Sequence, residues 1–559
     1  MSFESQAREE EQQLLSRSST IMRECNKSVG EELEPPDDLE LDELAANAST
    51  HSLAESIRPR WLSRSPTRAH RRSGSNTSYL NWAKPRRRRS LLLRSCRLLA
   101  IIPVVLLGLI AIYALFFPSY SHPPQRYTDL RTRVQSSSSR TGSANAFDKK
   151  VMIVASLYDK DGKLLSGHWG EAVLDLVDIL GPSNVYLSVY ENDPDSNAKE
   201  ALARFGEHVR CNKSLVAEHL DLDELQHFST PDGTLKLKRI AYLAEVRNRA
   251  LRPLQEPGLG AYGIRFDKLL YLNDVIFDPV DAASLLFSTN TDESTGETNY
   301  RAACAVDFIN AFKFYDTYAT RDLEGFRMGV PFYPWFAGSG KGISRQDVLA
   351  QKDAVRVKSC WGGMVAYEAK WFQPWLHEST AASHSPTNNN TALRFRAETD
   401  NYWDASECCL INADLSALSP DKLDAGESGI YMNPYIRVAY RKSVLHWLPL
   451  TKRFERLYPP FQTMVNWIAE RPSFNPRRLQ QPGEEVIDRV WVWDDDTLEK
   501  LRNHTAGDLP GELHGTYKEV RRVAMPGQFC GHRKLSYINE YPMKGEKNWA
   551  NEQAPTEWR

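Results

Sequence analysis

A chain of 559 residues with 70 Lys and Arg against 72 Asp and Glu is close to neutral, which argues against a nucleic-acid binder that relies on a global basic field. Hydrophobic residues at 41%, charged residues at 25%, and 14 Trp, 23 Tyr and 21 Phe fit a globular protein with a large core. They exclude a wholly disordered chain, a collagen and a disulfide miniprotein. The length points to several domains at roughly 100–200 residues each.

The charge is unevenly spread. Residues 31–44, EELEPPDDLELDEL, hold acids and no base, whereas 57–90 are rich in Arg and Ser and end in Arg86 to Arg89. Such blocks repel themselves and bury little apolar surface, so residues 1–97 read as a disordered tail. Residues 98–117, LLAIIPVVLLGLIAIYALFF, contain no charge and no polar face. A helix of that length spans about 30 Å, the thickness of a hydrocarbon core, and it starts too far into the chain for a cleaved signal peptide. Lys84, Arg86 to Arg89, Arg94 and Arg97 flank it on the amino-terminal side. The positive-inside rule therefore predicts a single-pass type II protein with a cytosolic tail and a lumenal body. Six cysteines then lie on the oxidising side, Cys211, Cys304, Cys360, Cys408, Cys409 and Cys530. At least one disulfide is expected among them, with adjacent Cys408 and Cys409 not paired to each other. Asn212, Asn389 and Asn503 head glycosylation triplets on the same side.

Residues 118–147 show no apolar period and read as a stem before a lumenal domain at 148–559. From 151 onward, apolar strands alternate with amphipathic helices. VMIVASL (151–157) is a strand, 168–181 a helix, NVYLSVYEN (184–192) a strand, 194–209 a helix, 235–254 a longer helix, KLLYLND (268–274) a strand and RAACAVDFI (301–309) another. This alternation predicts a Rossmann-like α/β fold with a mostly parallel sheet covered on both faces. Ligands in such sheets sit beyond the carboxyl ends of the strands. No GxGxxG follows the first strand, and neither a GxxxxGK[ST] loop nor a GxSxG elbow occurs. No His/Cys cluster has zinc spacing.

Five places can carry chemistry. Asn273-Asp274 closes a strand with a carboxylate, which suits Mg²⁺ or Mn²⁺ on a diphosphate, or simply caps a loop. Arg247 has Leu243, Ala244, Ala250 and Leu251 three and four residues away. It therefore lies on a buried helical stripe and calls for an anion there, a carboxylate in a structural pair or a phosphate. Trp361-Gly362-Gly363 follows a strand at 353–359, and lets backbone approach a ligand with a ring for a sugar, or forms a tight turn before a helix starting at 364. Glu407, in the helical stretch 406–415, and Asp307, at a strand end, are the candidate acids; an ordinary exposed acid is the plain reading of Glu407.

Taken in order, VMIVASLYDKDG, NVYLSVYEND, RIAYLAEVRNRALRPL, FDKLLYLNDVIF, AACAVDF, FYDTYATRDLEG, SCWGGMVAYEAKWF and SECCLINADL resemble the fungal capsule-associated α-1,3-mannosyltransferases, glycosyltransferase family 69 of the cryptococcal type. The resemblance covers 150–442, and QFCGHRK at 528–534 resembles the closing segment of that family, within a carboxyl-terminal extension at 443–559. It implies a GT-A fold and transfer of mannose from GDP-mannose to a mannose-containing glycan, α-1,3, with retention of configuration, in the Golgi lumen and in capsular polysaccharide synthesis. It further implies Asp274 as metal or diphosphate ligand in place of the usual Asp-x-Asp, with Mn²⁺ or Mg²⁺ as cofactor. Arg247, Asn248 and Asn273 would face the donor, Trp361, Gly362 and Gly363 the sugar or acceptor, and Glu407 and Asp307 the reacting centre. No nucleic-acid partner is implied; a complex with other glycosyltransferases is compatible. The alternatives are another nucleotide-sugar donor, or a catalytically silent relative serving glycan assembly, carbohydrate binding or trafficking.

Overall fold

The computed structural model describes residues 86–159, 161–374, 392–418, 426–503, 511–539, 547–552 and 554–555, with side chains from residue 101 onward except Asn503. The acidic and basic blocks of the tail and the triplet at Asn389 lie outside the described residues. In chain order the elements are α1 (Arg86–Phe116), α2 (Gln125–Ser136), β1 (Val151–Leu157), α3 (His168–Leu180), β2 (Val185–Asn192), α4 (Ser196–His208), β3 (Asn212–Glu218), β4 (His227–Ser229), β5 (Leu235–Leu237), α5 (Arg239–Gln255), β6 (Lys268–Leu272), α6 (Pro279–Ser288), β7 (Ala302–Asn310), β8 (Lys313–Phe314), β9 (Arg321–Asp322), α7 (Ile343–Leu349), β10 (Val355–Ser359) and β11 (Met364–Glu368). There follow α8 (Glu407–Leu418), β12 (Ile430–Ala439), α9 (Lys442–Thr451), α10 (Pro459–Ile468), β13 (Glu485–Trp493), α11 (Asp495–Asn503), β14 (Gly515–Val523), β15 (Leu535–Ile538) and β16 (Trp549–Glu552).

The main sheet runs β3-β2-β1-β6-β11-β7-β12-β10-β9, with β8 added beside β7. Strand β1 pairs in parallel with β2 and β6, Val151 lying opposite Val185 and Lys268. Its apolar run is continuous because both edges and both faces are covered. Alternate side chains go to opposite cores. Met152 and Val154 join the core under α5, and Val151, Ile153 and Ala155 the core under α3 and α6. Helix α3 turns Val173, Leu176, Val177 and Leu180 onto the sheet. The Asp195 carboxylate accepts the Ala198 N–H at 2.7 Å and starts α4, satisfying one of the free donors of its first turn.

Three elements depart from the sequence expectations. The 118–147 segment carries helix α2, whose Tyr127, Leu130 and Val134 are buried in the second core; one apolar residue per turn suffices to dock it, though it leaves almost no period to detect. The helix expected from 235 begins at Arg239, because alternating Leu235-Lys236-Leu237 forms a hairpin strand with β4. The stretch from Met364, expected as a helix, is instead the fully central strand β11, antiparallel to both β6 and β7. Buried on both faces, it shows neither a period of two nor one of 3.6. As for α1, its side chains from Ile101 to Phe117 are apolar and mostly exposed, and among the described residues no helix is long and apolar enough to cross a membrane.

Among the contacts that hold the carboxyl-terminal extension to the body, two stand out. Arg321 of β9, with no exposed surface, donates to the carbonyls of Phe529 at 3.1 Å, Tyr318 at 2.8 Å and Thr320 at 2.8 Å, and to that of Cys530. Carbonyl dipoles here do what a carboxylate does elsewhere for a buried guanidinium. Disulfide Cys409–Cys530 joins α8 to the same segment, and Cys304–Cys360 joins β7 to the turn after β10. Cys211 and Cys408 are buried free thiols. Because Cys409–Cys530 closes a loop of 121 residues, opening it should release much chain entropy in the unfolded state. The Cys409→Ala/Cys530→Ala double variant should lose about 2–5 kcal/mol of unfolding free energy. A denaturant midpoint equal to that of the wild type would contradict the pairing.

Candidate active site

The site is assembled around Arg247. Its position on α5, among apolar neighbours, carries the guanidinium inward, leaving the side chain 11% exposed. There its Nε donates to Glu407 Oε1 at 3.0 Å and its Nη1 to Asn273 Oδ1 at 3.2 Å. The guanidinium stands 4.6 Å from the ring centre of Trp361 and 5.7 Å from that of Phe395. Glu407 opens α8 and is buried, so the pair locks α5 to α8 through a charge-assisted hydrogen bond. Asn273, just past the end of β6, gathers the remaining parts. Its Oδ1 also accepts the Trp361 indole N–H at 3.1 Å, its carbonyl accepts the Trp169 indole N–H at 2.8 Å, and its own N–H donates to the Gly363 carbonyl at 2.9 Å.

Gly362 and Gly363 have φ of +59° and +67°, values that side chains with a Cβ rarely take. A Cβ on Gly362 would lie 2.0 Å from the Ala305 carbonyl oxygen, and one on Gly363 2.6 Å from Val275 Cγ1. The close approach these glycines permit is thus to the neighbouring strand. Behind the turn, the Gly362 N–H donates to Asp316 Oδ2 at 3.0 Å, and the Asp316 N–H donates to Asp307 Oδ1 at 3.1 Å. Tyr440, following β12, donates its hydroxyl to Asp307 Oδ2 at 3.1 Å. Burial, reinforced by the Asp316 charge, holds the Asp307 carboxyl well above the usual carboxylate range. Burial does the same to Asp316.

Asp274 follows Asn273 at the carboxyl end of β6 and is half-buried. Burial raises its pKa, Arg247 opposes the rise and Asp159 adds to it. No salt bridge or side-chain hydrogen bond engages its carboxylate among the described residues. Asp159, beyond β1, is occupied: its two oxygens accept the Leu164 and Leu165 N–H groups at 3.0 Å each. Glu191, at the end of β2, accepts the Asp159 N–H through Oε1 at 3.1 Å, while Oε2 is buried without a partner. Burial pushes this carboxyl up to about 7. Among the described residues no group of three His, Cys, Asp or Glu side chains could hold a metal ion.

Arg247, Asn273, Trp361 and Glu407 therefore meet in one cluster, with Asp274 beside it and Gly362 and Gly363 forming its turn. Glu407 is a buried ion-pair partner, not an exposed acid. Asp307 stands one layer behind, reaching the cluster through Asp316 and Gly362. Asn248 points the other way: its Nδ2 donates to the Phe395 carbonyl at 2.9 Å and its Oδ1 accepts the Phe395 N–H at 2.8 Å. One face of Trp361 is covered by Arg247. Sequence reasoning did not single out Asp316, Tyr440 and Trp169 for this cluster. Asp316 was one of several acids in a polar stretch, and Tyr440 and Trp169 lie 133 and 104 residues from Asp307 and Asn273, to which they donate, so no local spacing signals them.

The architecture, a mixed α/β fold with a mostly parallel sheet and polar residues gathered at its strand ends, is that of a domain that binds a ligand at one edge. Residues 150–414 match the family described as cryptococcal mannosyltransferase 1, which supports kinship of this stretch with the capsule-associated mannosyltransferases. A search of curated proteins finds no match. Among solved structures, a mannosyltransferase from Pyrobaculum calidifontis, in complex with GDP-Man and Mn²⁺, aligns at 10% identity and a TM-score of 0.29, covering 67% of this chain and 88% of its own. Mannosyl-3-phosphoglycerate synthase from Rubrobacter xylanophilus aligns at 11% identity and a TM-score of 0.27, covering 72% and 98%. Similarity at that level bears on neither the site nor the chemistry.

Glu191 yields a test of the electrostatics. Its folded pKa of about 7 exceeds its ordinary 4.5, so the folded state retains a proton that the unfolded state gives up. The contribution of Glu191 to stability then falls as pH rises from about 4.5 to 7 and is level above that. Glu191→Gln lacks the titration. Its stability relative to the wild type should climb by up to about 3 kcal/mol across this window, then flatten. Urea unfolding at a series of pH values checks this; a constant difference from pH 4 to 8 would refute it.

Proposed function

We propose that the chain is a membrane-anchored GT-A glycosyltransferase that moves mannose from GDP-mannose to a mannose-containing glycan, forming an α-1,3 linkage with retention. The observation that carries this reading is Asp274: a carboxylate with no salt bridge or hydrogen bond to another side chain among the described residues, at a strand's carboxyl end, next to a buried cationic cluster. The resemblance of the motifs from 150 to 442 supports the donor and the linkage. The uncharged 98–117 segment with its basic flank supports a type II orientation in the Golgi membrane, with the body lumenal and able to work alongside other glycosyltransferases.

Breaking the sugar–phosphate bond leaves negative charge on the departing nucleoside diphosphate. Arg247, fixed by Glu407 and Asn273, supplies positive potential toward it. Asp274 is the residue that would hold a divalent cation. A single carboxylate fits Mg²⁺ or Mn²⁺ when diphosphate oxygens and water complete the coordination, which is how such ions commonly sit on nucleotide substrates. When bound, the ion neutralises the leaving group. Glu407 is the acid we assign to the reacting centre. Asp307 is a positioning residue, acting through Asp316 on the Gly362 turn.

Asp274→Asn keeps the shape and removes the charge. It should cut transfer by on the order of 10²–10³ without unfolding the protein. Arg247→Lys keeps the charge and loses the planar fork, and should be impaired less than Asp274→Asn. The assay is sugar transfer by the full chain across a matrix of GDP-mannose and UDP-sugar donors and mannoside acceptors, with linkage analysis of the product. Near-normal transfer by a folded Asp274→Asn protein would remove Asp274 from the reaction.

A further inference from the structure

Helix α10 is inside out. Its buried residues are polar: the Gln462 amide donates to the Phe336 carbonyl at 3.3 Å, and Asn466 Oδ1 accepts the Val330 N–H at 2.7 Å. Its apolar residues face away from the protein, Phe461, Met464, Trp467 and Ile468 being 63%, 51%, 82% and 65% exposed. On α9, Trp447 and Leu450 are exposed as well, while Val444 and Leu448 face the body. A helix in water turns its polar face outward; the reverse calls for an apolar medium on the outer side.

That medium is indicated by what adjoins the patch. The carboxyl end of α1 is fastened to the segment joining α9 to α10. The Ser119 N–H donates to the Lys452 carbonyl at 3.0 Å, and Arg453 Nη1 donates to the Leu115 carbonyl at 3.2 Å. The exposed apolar surface of α1 and that of α9 and α10 thus belong to one region of the molecule. Residues 441–478 carry eight Lys and Arg against two Glu; Glu455 is consumed in a buried pair with Arg437, and Arg477 in pairs with Asp400 and Asp488, which still leaves the segment basic. Exposed tryptophans beside basic residues suit the boundary between headgroups and acyl chains.

We infer that α9 and α10 form a second, interfacial membrane contact, which lays the body on the lumenal leaflet of the bilayer next to the point where α1 enters it. The inference uses the anchor reading above for its orientation. It fixes how the body stands: the chain is held at the membrane through both α1 and the α9–α10 face and does not swing on a flexible stem.

The test uses the full chain reconstituted in vesicles of phosphatidylcholine with 20% phosphatidylinositol, about a fifth of the lipid being anionic. Benzoylphenylalanine replaces one residue at a time, at 461, 467, 113 or 487. Position 113, on α1, reports the anchor; position 487, exposed on β13, reports background. Irradiation should attach lipid at 461 and 467 at roughly ten times the level at 487, as expected of side chains held among acyl chains. Labelling of 461 and 467 no higher than 487, or adducts there to a second copy of the chain or to another protein in place of lipid, would overturn the inference, whatever 113 shows. Lipid attached at 461 and 467 but not at 113 would overturn the anchor reading and leave the interfacial contact standing.

Discussion

A guanidinium taken out of water must be met by anions and acceptors, and the requirement of Arg247 organises this domain. Its side-chain hydrogen bonds reach α8 through Glu407 and the end of β6 through Asn273, and its flat face lies against Trp361. Segments between 26 and 160 residues from Arg247 in the chain are thereby held to it. Removing one partner of such a pair typically costs about 3–5 kcal/mol, so the cluster is a structural necessity as well as a source of positive potential. The two roles are compatible, because a charge fixed in place before the reaction needs no reorganisation during it.

Around this centre, the fold removes freedom. The Gly362-Gly363 turn fits against β7 only without side chains, Cys304–Cys360 fixes the residue before Trp361 to that same strand, and Cys409–Cys530 fixes α8 two residues after Glu407. Asp316 and Asp307 support the turn from below, with Tyr440 sealing them. What is left open is the carboxylate of Asp274. A support fixed in advance by such contacts needs little reorganisation when a group binds beside it.

Much of this was legible in the chain itself. Continuous apolar runs gave β1, β2, β6 and β7 to within a residue or two, since strands buried on both faces are predominantly apolar. The burial of Arg247 followed from its four apolar helical neighbours. The disulfide partners, the coupling of Asp307 to Tyr440 and the role of Asp316 did not follow, because each rests on contacts between distant segments that no local period encodes. Strand β11 was misread for a related reason: MVAYE is short, apolar throughout and followed by Ala369 to Phe372, so helix and strand predict the same residues. Asn248 illustrates the limit of reading pairs of neighbours together, as it turns its amide to the Phe395 backbone while Arg247 turns to the cluster.

Hydrogen exchange of the full chain with and without GDP, in the presence of Mn²⁺, tests the central claim most directly. If the Arg247 cluster and Asp274 form the donor site, GDP will slow exchange in peptides covering the end of β6 through Val275 and the turn at 360–364, with smaller changes in α5. Protection confined to other regions, with these peptides unchanged at saturating GDP, would contradict the account.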